Sequence, residues 1–169
     1  MNNSKHYLEG RAFKKSGKYD LAYAAYQKAI QSGDDKGYYG LTLLYEELNN
    51  TDVDLEKMYS DCFYAIKDMA LEGDYIAASI IGVYYAMGLG NMEKNQEQAH
   101  MWFLIGALGG DEVAQFNLAV NYYFGEVVKQ NHTTAKMWLE SAIDKGYEAA
   151  LQFYNEIEQE QKQGEENDF

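Results

Sequence analysis

Apolar residues recur every three to four positions along most of the chain, and this spacing predicts a succession of amphipathic helices. Between them stand short segments such as "NNTDVD" and "GEVVKQN", whose Gly, Asn and Asp residues are typical of turns. Proline is absent, so glycine is expected to end the helices. The helices are expected at residues 5–16, 19–32, 35–48, 54–72, 74–88, 95–109, 111–124, 132–145 and 147–163.

The pattern is also repetitive. The phrases "AHMWFLIGALGGD" and "AKMWLESAIDKGY" have the marker glycines Gly110 and Gly146 as their last residue but one, and these are 146 − 110 = 36 residues apart. Gly73 and Gly33 mark two earlier copies. Around each marker, small and large apolar residues recur at helical spacing. Two of these columns are Ala22, Cys62, Ala99 and Ala135, and Tyr26, Ile66, Phe103 and Leu139.

A single helix pair of this kind cannot bury its apolar face alone, so the pairs must stack on one another. The sequence therefore predicts an all-α fold, a right-handed solenoid of about four antiparallel helix pairs plus a C-terminal capping helix. We expect a single domain over residues 1–163. Residues 164–169 are expected to form an acidic C-terminal tail.

The repeated phrase resembles the Sel1-like repeat, a relative of the tetratricopeptide repeat, over about residues 5–157. The first unit, "YLEGRAFKKSGKYDLAYAAYQKAI", is more similar to a tetratricopeptide repeat, and the second copy is degenerate. The resemblance implies a solenoid whose first helix in each pair lines an inner, concave face. It is carried by Ala77, Ala78, Gly82, Tyr85, Gly88, Ala99, Trp102, Ala107 and Gly110, and in the next copy by Ala114, Leu118, Tyr122, Gly125, Ala135, Trp138, Ala142 and Gly146.

Charge narrows the classes of partner. The chain has 14 Lys and Arg residues against 27 Asp and Glu, a net charge of −13. Such a chain repels nucleic acid and anionic membranes and attracts basic proteins. The single cysteine excludes an intramolecular disulfide, and no apolar segment has the length of a membrane span or a secretory signal. We therefore expect a cytoplasmic protein.

No catalytic or metal-ligating constellation is visible. None of the three histidines has a His or Cys partner at helix-face spacing, so no metal and no cofactor are expected. His100 is interpreted as a surface residue. Cys62 lies in a small-residue column and is interpreted as core packing.

A second stripe of residues on the first helix of each pair is the candidate binding surface. It is apolar towards the C-terminus and basic towards the N-terminus, which suits an extended peptide or an amphipathic helix. The alternative is that adjacent repeats cover the stripe. The candidate residues are Tyr7, Arg11, Lys14, Lys36, Tyr39, Leu43, Ile76, Ser79, Val83, Met87, Val113, Phe116, Val120, Tyr123 and Phe124.

These observations favour a non-catalytic adaptor or scaffold that binds a protein or peptide through its concave face. A narrower alternative is a cytoplasmic immunity or inhibitor protein that neutralises a basic toxin. A homodimer formed through the apolar stripe and a small hydrolase-like enzyme are further alternatives. The basic N-terminal helix also suggests contact with an acidic terminus of a partner.

Overall fold

In a computed structural model, residues 4–167 are described, with side chains for residues 4–160, and all regular structure in this range is helical. The predicted all-α solenoid of helix pairs is confirmed, and each helix lies close to its predicted position. The helices are α1 Lys5–Lys15, α2 Tyr19–Gln31, α3 Lys36–Glu47, α4 Leu55–Leu71, α5 Tyr75–Met87, α6 Gln96–Leu108, α7 Glu112–Phe124, α8 His132–Asp144 and α9 Glu148–Asn167.

The marker glycines explain the repeated phrase. All four have positive φ, for example 97° at Gly73 and 94° at Gly110, a conformation that glycine adopts without strain. At the turn after α4, the Gly73 N–H donates to the Ala70 carbonyl oxygen and the Asp74 N–H to that of Met69. The Asp74 carboxylate then accepts from the first N–H groups of α5. The Gly-Asp pair therefore ends one helix and begins the next.

The helices form two layers. Each even-numbered helix packs between the odd-numbered helices that precede and follow it in the chain. The odd-numbered helices also approach one another, since α1 contacts α3 and α5 contacts α7. Arg11 of α1 even reaches Glu112 at the start of α7, 101 residues away. The odd-numbered helices therefore form the inner layer, and α2, α4, α6 and α8 form the outer layer.

The repeated columns fill the space between the layers. Tyr26, Ile66, Phe103 and Leu139 are each no more than 2 % exposed. The ring of Tyr26 lies so close to α1 and α3 that a Cβ added to Gly10 or Gly40 would stand 2.5 or 2.4 Å from it. The small residues of the inner helices are therefore required by close approach of the outer-helix rings.

The structure confirms the interpretation of Cys62 and contradicts that of His100. Cys62 is buried, as expected of a core residue. The interpretation of His100 as a surface residue is wrong, because its side chain is buried and its Nδ1 lies 3.1 Å from Asn121 Nδ2. The helix α9 continues to Asn167, but side chains from residue 161 onwards lie outside the described part, so the acidic tail of residues 164–169 stays a prediction.

Candidate functional site

The structure distributes the candidate residues of the inner layer among three environments. Met87 and Phe124 are exposed, at 59 % and 55 %. Eight are half-buried: Arg11, Lys14, Leu43, Val83, Val113, Phe116, Val120 and Tyr123. Five are buried by neighbouring helices: Tyr7, Lys36, Tyr39, Ile76 and Ser79. Neighbouring repeats therefore cover these five residues, as the alternative expectation had it, and the five do not line a free surface.

A row of ion pairs joins α1 to helices far along the chain. Arg11 donates to Glu112 at 2.8 Å and lies 3.9 Å from Asp111. Lys15 lies 2.9 Å from Glu148 at the start of α9. Glu112 and Glu148 each stand in the first turn of a helix, where negative charge is favoured. The cations expected at a free basic surface are therefore already paired, and they hold α1 against the ends of α7 and α9.

Burial also changes the acid strength of Asp111. It raises the pKa of Asp111 above the usual range, while the Ser79 hydrogen bond, the Ala114 N–H and the Arg11 charge oppose that rise. The same carboxylate caps α7 through the Ala114 N–H at 3.0 Å. Ser79 is therefore a structural partner of Asp111 rather than a surface contact.

Lys36 is the centre of a buried ionic triad. Its Nζ lies 2.9 Å from Asp34 Oδ1 and 2.6 Å from Asp74 Oδ2, and the lysine is fully buried. Asp74 belongs to the turn of the next repeat, so the lysine connects two successive turns. A buried cation is tolerated only with such partners, which is why Lys36 points inwards rather than to solvent.

Tyr7 and Tyr39 contribute rings to the core between α1, α3 and α5. The Tyr7 and Tyr26 ring centroids are 6.0 Å apart, and those of Tyr39 and Tyr84 are 5.9 Å apart. Burial raises the pKa of Tyr7 well above its ordinary value and also raises that of Tyr39. Both residues therefore stabilise the stacking of the first helix pairs.

The C-terminal end of the inner layer is aromatic instead. An aromatic cluster forms between α7 and α9 and consists of Phe116, Tyr123, Phe124, Tyr147 and Phe153. Phe116 lies 5.4 Å from Tyr147 and 6.0 Å from Phe153, measured between ring centroids. Tyr123 lies 5.3 Å from Phe153 and 5.1 Å from Phe124. The edge-to-face geometry of most of these pairs is favourable for aromatic rings.

Sequence reasoning missed Tyr147 and Phe153. Both lie in or next to α9, which the polar stretch at its end marked as a cap. Its first two turns are mostly apolar, however, and Phe153 follows Gly146 by 153 − 146 = 7 residues, next to the position of Phe116, which follows Gly110 by 116 − 110 = 6. This spacing was the available signal.

A cavity of about 720 Å³ opens where α1 faces the turn between α8 and α9. Charged and tyrosine side chains line it, including Arg11, Lys15, Tyr26 and Lys145. Burial raises the pKa of Tyr26 to about 12, although the nearby Arg11 charge acts in the opposite direction. A smaller cavity of about 180 Å³ lies between α8 and α9.

The outer layer has an exposed apolar row that sequence reasoning also missed. Tyr64, Met101 and Met137 occupy the same position on α4, α6 and α8, nine residues before their marker glycines. They are 73 %, 59 % and 64 % exposed. Their equivalence in the alignment was the signal for this row.

Among the described residues, neither a cluster that could hold a metal ion nor an exposed thiol is present. Within residues 4–160, no three His, Cys, Asp or Glu side chains gather where they could hold a metal ion. The Cys62 thiol shares a 3.0 Å hydrogen bond with the Tyr84 hydroxyl, and burial raises the pKa of this thiol, which disfavours the reactive thiolate. None of the described helices combines the length and apolar character needed to cross a membrane.

Comparisons with known proteins agree with this geometry. The family model for the Sel1 repeat matches residues 76–111 and 113–147, which are the pairs α5–α6 and α7–α8. A Sel1 repeat protein from Oxalobacter formigenes has a similar structure, with 24 % identity and a TM-score of 0.58. The match covers 77 % of this chain and 50 % of that one.

A second solved structure, of a protective antigen present in uropathogenic Escherichia coli strains that displays an SLR fold, is 25 % identical with a TM-score of 0.54. That match covers 76 % of this chain and 26 % of the other. The chain thus spans half and about a quarter of the two structures. A search among curated proteins found no match.

Proposed function

Because this chain is a Sel1-like repeat protein, we propose that it is a non-catalytic interaction module that binds a protein or peptide through its inner face. Sel1 repeat proteins are generally scaffolds for protein–protein interaction. The fold alone does not select a partner, so the proposal depends on the surface of the inner layer. We also place the protein in the cytoplasm, where a free buried thiol such as Cys62 is stable.

The observation that carries the proposal is the exposed edge of the aromatic cluster. Phe124 is 55 % exposed although its ring lies 6.1 Å from that of Phe153, and Met87 on α5 is similarly exposed. Rings held in place by other rings lose little conformational entropy on binding. Exposed aromatic and methionine side chains of this kind are enriched at the centres of protein interfaces.

The flanking half-buried residues complete the surface. Val113 and Val120 lie on the same side of α7 as Phe116, at helical spacing. The surface therefore offers an apolar groove wall along α7, with exposed Phe124 at its end. An amphipathic helix or an extended apolar segment of a partner fits such a wall.

The test compares two equal losses of apolar surface. The double variant Met87→Ser, Phe124→Ser removes the two exposed candidate side chains of the inner layer, and the double variant Met101→Ser, Met137→Ser removes two exposed side chains of the outer row. Each tagged protein is used to capture partners from host lysate, and a captured partner is then purified for affinity measurement. We expect the inner variant to bind about tenfold or more weakly and the outer variant to bind as the wild type does.

Several outcomes decide between functions. Loss of the partner from the outer variant alone would contradict the inner face as the binding site. A basic toxin-like partner that the inner variant releases would support the narrower inhibitor function, with the net charge of −13 as its attraction. Capture of a second copy of this chain would favour the homodimer instead.

A further inference from the structure

The cavity between α1 and the α8–α9 turn has the size of a ligand site. Its volume of about 720 Å³ lies within the range of roughly 300–1,000 Å³ that is usual for such sites. Side chains from α1, α2, α3 and the α8–α9 turn line it, so it exists only because the solenoid brings residues more than 100 positions apart together.

The charge of its lining is opposite to that of the whole chain. Four of the 14 basic residues line the cavity, namely Arg11, Lys14, Lys15 and Lys145. Only three of the 27 acidic residues do so, namely Glu47, Glu112 and Glu148. The lining is therefore positive by 4 − 3 = 1, in a chain of net charge −13. The N-terminus of α9 also borders the cavity and adds the positive end of its dipole.

Two polar groups of the lining have no partner among the side chains of residues 4–160. The Tyr26 hydroxyl is buried and forms no hydrogen bond, although its ring is fixed against Gly10 and Gly40. A buried hydroxyl without a partner is destabilising, so packing alone favours Phe at this position, as in the equivalent Phe103. Within the described residues, no carboxylate lies within 4.0 Å of the Lys145 ammonium.

We propose that this cavity binds an acidic segment of a peptide or protein partner, with its carboxylates on Lys145 and Lys15 and a polar group reaching the Tyr26 hydroxyl. The inference rests on the proposed function, because it names the chemistry of a partner segment at the N-terminal end of the same inner layer. The tyrosines Tyr7, Tyr19 and Tyr147 and the side chain of Leu43 supply apolar walls for the segment.

The strength of this binding depends on the ion pairs within the chain that the acidic segment has to replace. Lys15 is 58 % exposed and pairs with Glu148, which is 73 % exposed. An exposed pair of this kind is weak, so an incoming carboxylate replaces Glu148 at little cost. Lys145 needs no such exchange and is the first contact for an anionic segment.

The first experiment uses a short, capped poly-glutamate peptide with a fluorescein label, and measures its fluorescence anisotropy with the full chain at 0.15 M salt. Matched poly-glutamine and poly-lysine peptides are the controls. We expect saturable binding of the poly-glutamate peptide alone, since the chain as a whole repels it and only the cavity attracts it. Equal binding of the poly-glutamate and poly-glutamine peptides would overturn the inference.

Two charge variants locate the site. Lys145→Gln should weaken binding about tenfold, as expected for one charged hydrogen bond. Lys28→Gln removes the same charge from an exposed position on α2 outside the cavity and should have no effect. Equal effects of the two variants would show non-specific attraction and would contradict the cavity as the site.

Two further variants separate binding from folding. Glu148→Gln frees Lys15 and should tighten binding about threefold, a gain that misfolding cannot produce. Tyr26→Phe should weaken binding about threefold while thermal stability stays equal or rises. A Tyr26→Phe protein that loses stability and keeps its affinity would contradict the role of the hydroxyl.

The failure of this inference is distinguishable from the failure of the proposed function. If the poly-glutamate peptide does not bind but Phe124→Ser still releases the captured partner, only the cavity assignment is wrong. If the peptide binds and responds to Lys145→Gln, the cavity assignment stands whatever the captured partner does at the aromatic cluster.

Discussion

The inner layer is held together differently at its two ends. At the N-terminal end, Lys36 and Arg11 connect neighbouring repeats and distant helices through ion pairs. At the C-terminal end, the rings of Phe116 and Phe153 join α7 to α9, and no ion pair links these two helices among residues 4–160. The same sequence of helix pairs thus supports two kinds of lateral contact.

The difference determines what each end can bind. Charged side chains need a fixed partner once they leave water, so Arg11, Lys14 and Lys15 at the ionic end are paired within the chain. Aromatic rings need no specific partner, so the aromatic end leaves part of Phe124 exposed. Under the two proposals above, the aromatic end receives an apolar segment of a partner, and the ionic end selects a segment by its charge.

The largest effect is expected at the buried triad. Lys36→Met removes the cation that pairs with both Asp34 and Asp74 and leaves the two carboxylates without it. We expect a loss of about 3–5 kcal/mol in the free energy of unfolding, measured by urea denaturation. Lys28→Met, an exposed lysine on α2, should change it by less than about 0.5 kcal/mol.

A combined variant tests whether the ionic end depends on charge or on shape. The changes Asp34→Asn, Lys36→Met and Asp74→Asn remove all three charges and keep an Asn cap on α5. This protein should recover most of the lost stability, because no unpaired buried charge remains. A triple variant as unstable as Lys36→Met would mean that packing, not charge, made the lysine necessary.

The next effect is expected at Trp138, which bridges the last two helix pairs. Its half-buried ring packs against the cluster around Phe103 and Leu118 and also against that around Leu139 and Ala142. Trp138→Ala should therefore cost about 3 kcal/mol, the lower end for a large aromatic residue because the ring is only partly buried. Urea denaturation followed by circular dichroism measures this loss. A neutral result would contradict the role of this tryptophan as the link between repeats.

The smallest effect on the free energy of unfolding is expected at the ion pair that joins α1 to α7. Arg11→Gln removes the contact with Glu112, and the side chain is 27 % exposed, so about 1 kcal/mol is expected. The difference from the wild type should shrink between 0.1 and 1 M salt because of screening. Amide hydrogen exchange should show faster opening of α1 but not of α7. A salt-independent loss would indicate that Arg11 acts through packing of its stem.

Much of the fold followed from local pattern. The marker glycines, the small columns and the helical spacing predicted nine helices and their pairing, because each of these features acts within one turn or one helix pair. The buried columns are where the alignment placed them, with Ala22, Ala99 and Ala135 almost fully buried. The resemblance to Sel1-like repeats over α5–α8 rested on the same residues.

The candidate surface could be predicted only in part. The stripe on α7 was identified from helical spacing, but the same spacing gave Lys36 and Tyr39 an exposed position that they do not have. Whether a stripe is covered depends on the distance between successive inner helices. The sequence of a single helix does not determine that distance. Phe153 was missed for the same reason, since its partner Phe116 lies on another helix.

The sequence by itself thus determined the helices, their glycine turns and the family resemblance, because these depend on neighbours a few residues away, while the layer of each helix was implied by the resemblance. Only the tertiary structure decided that Arg11 meets Glu112, that Lys36 meets Asp74, and that a positive cavity forms beside α1. Those contacts join residues separated by one or more whole repeats, and the stacking of the helix pairs brings them together.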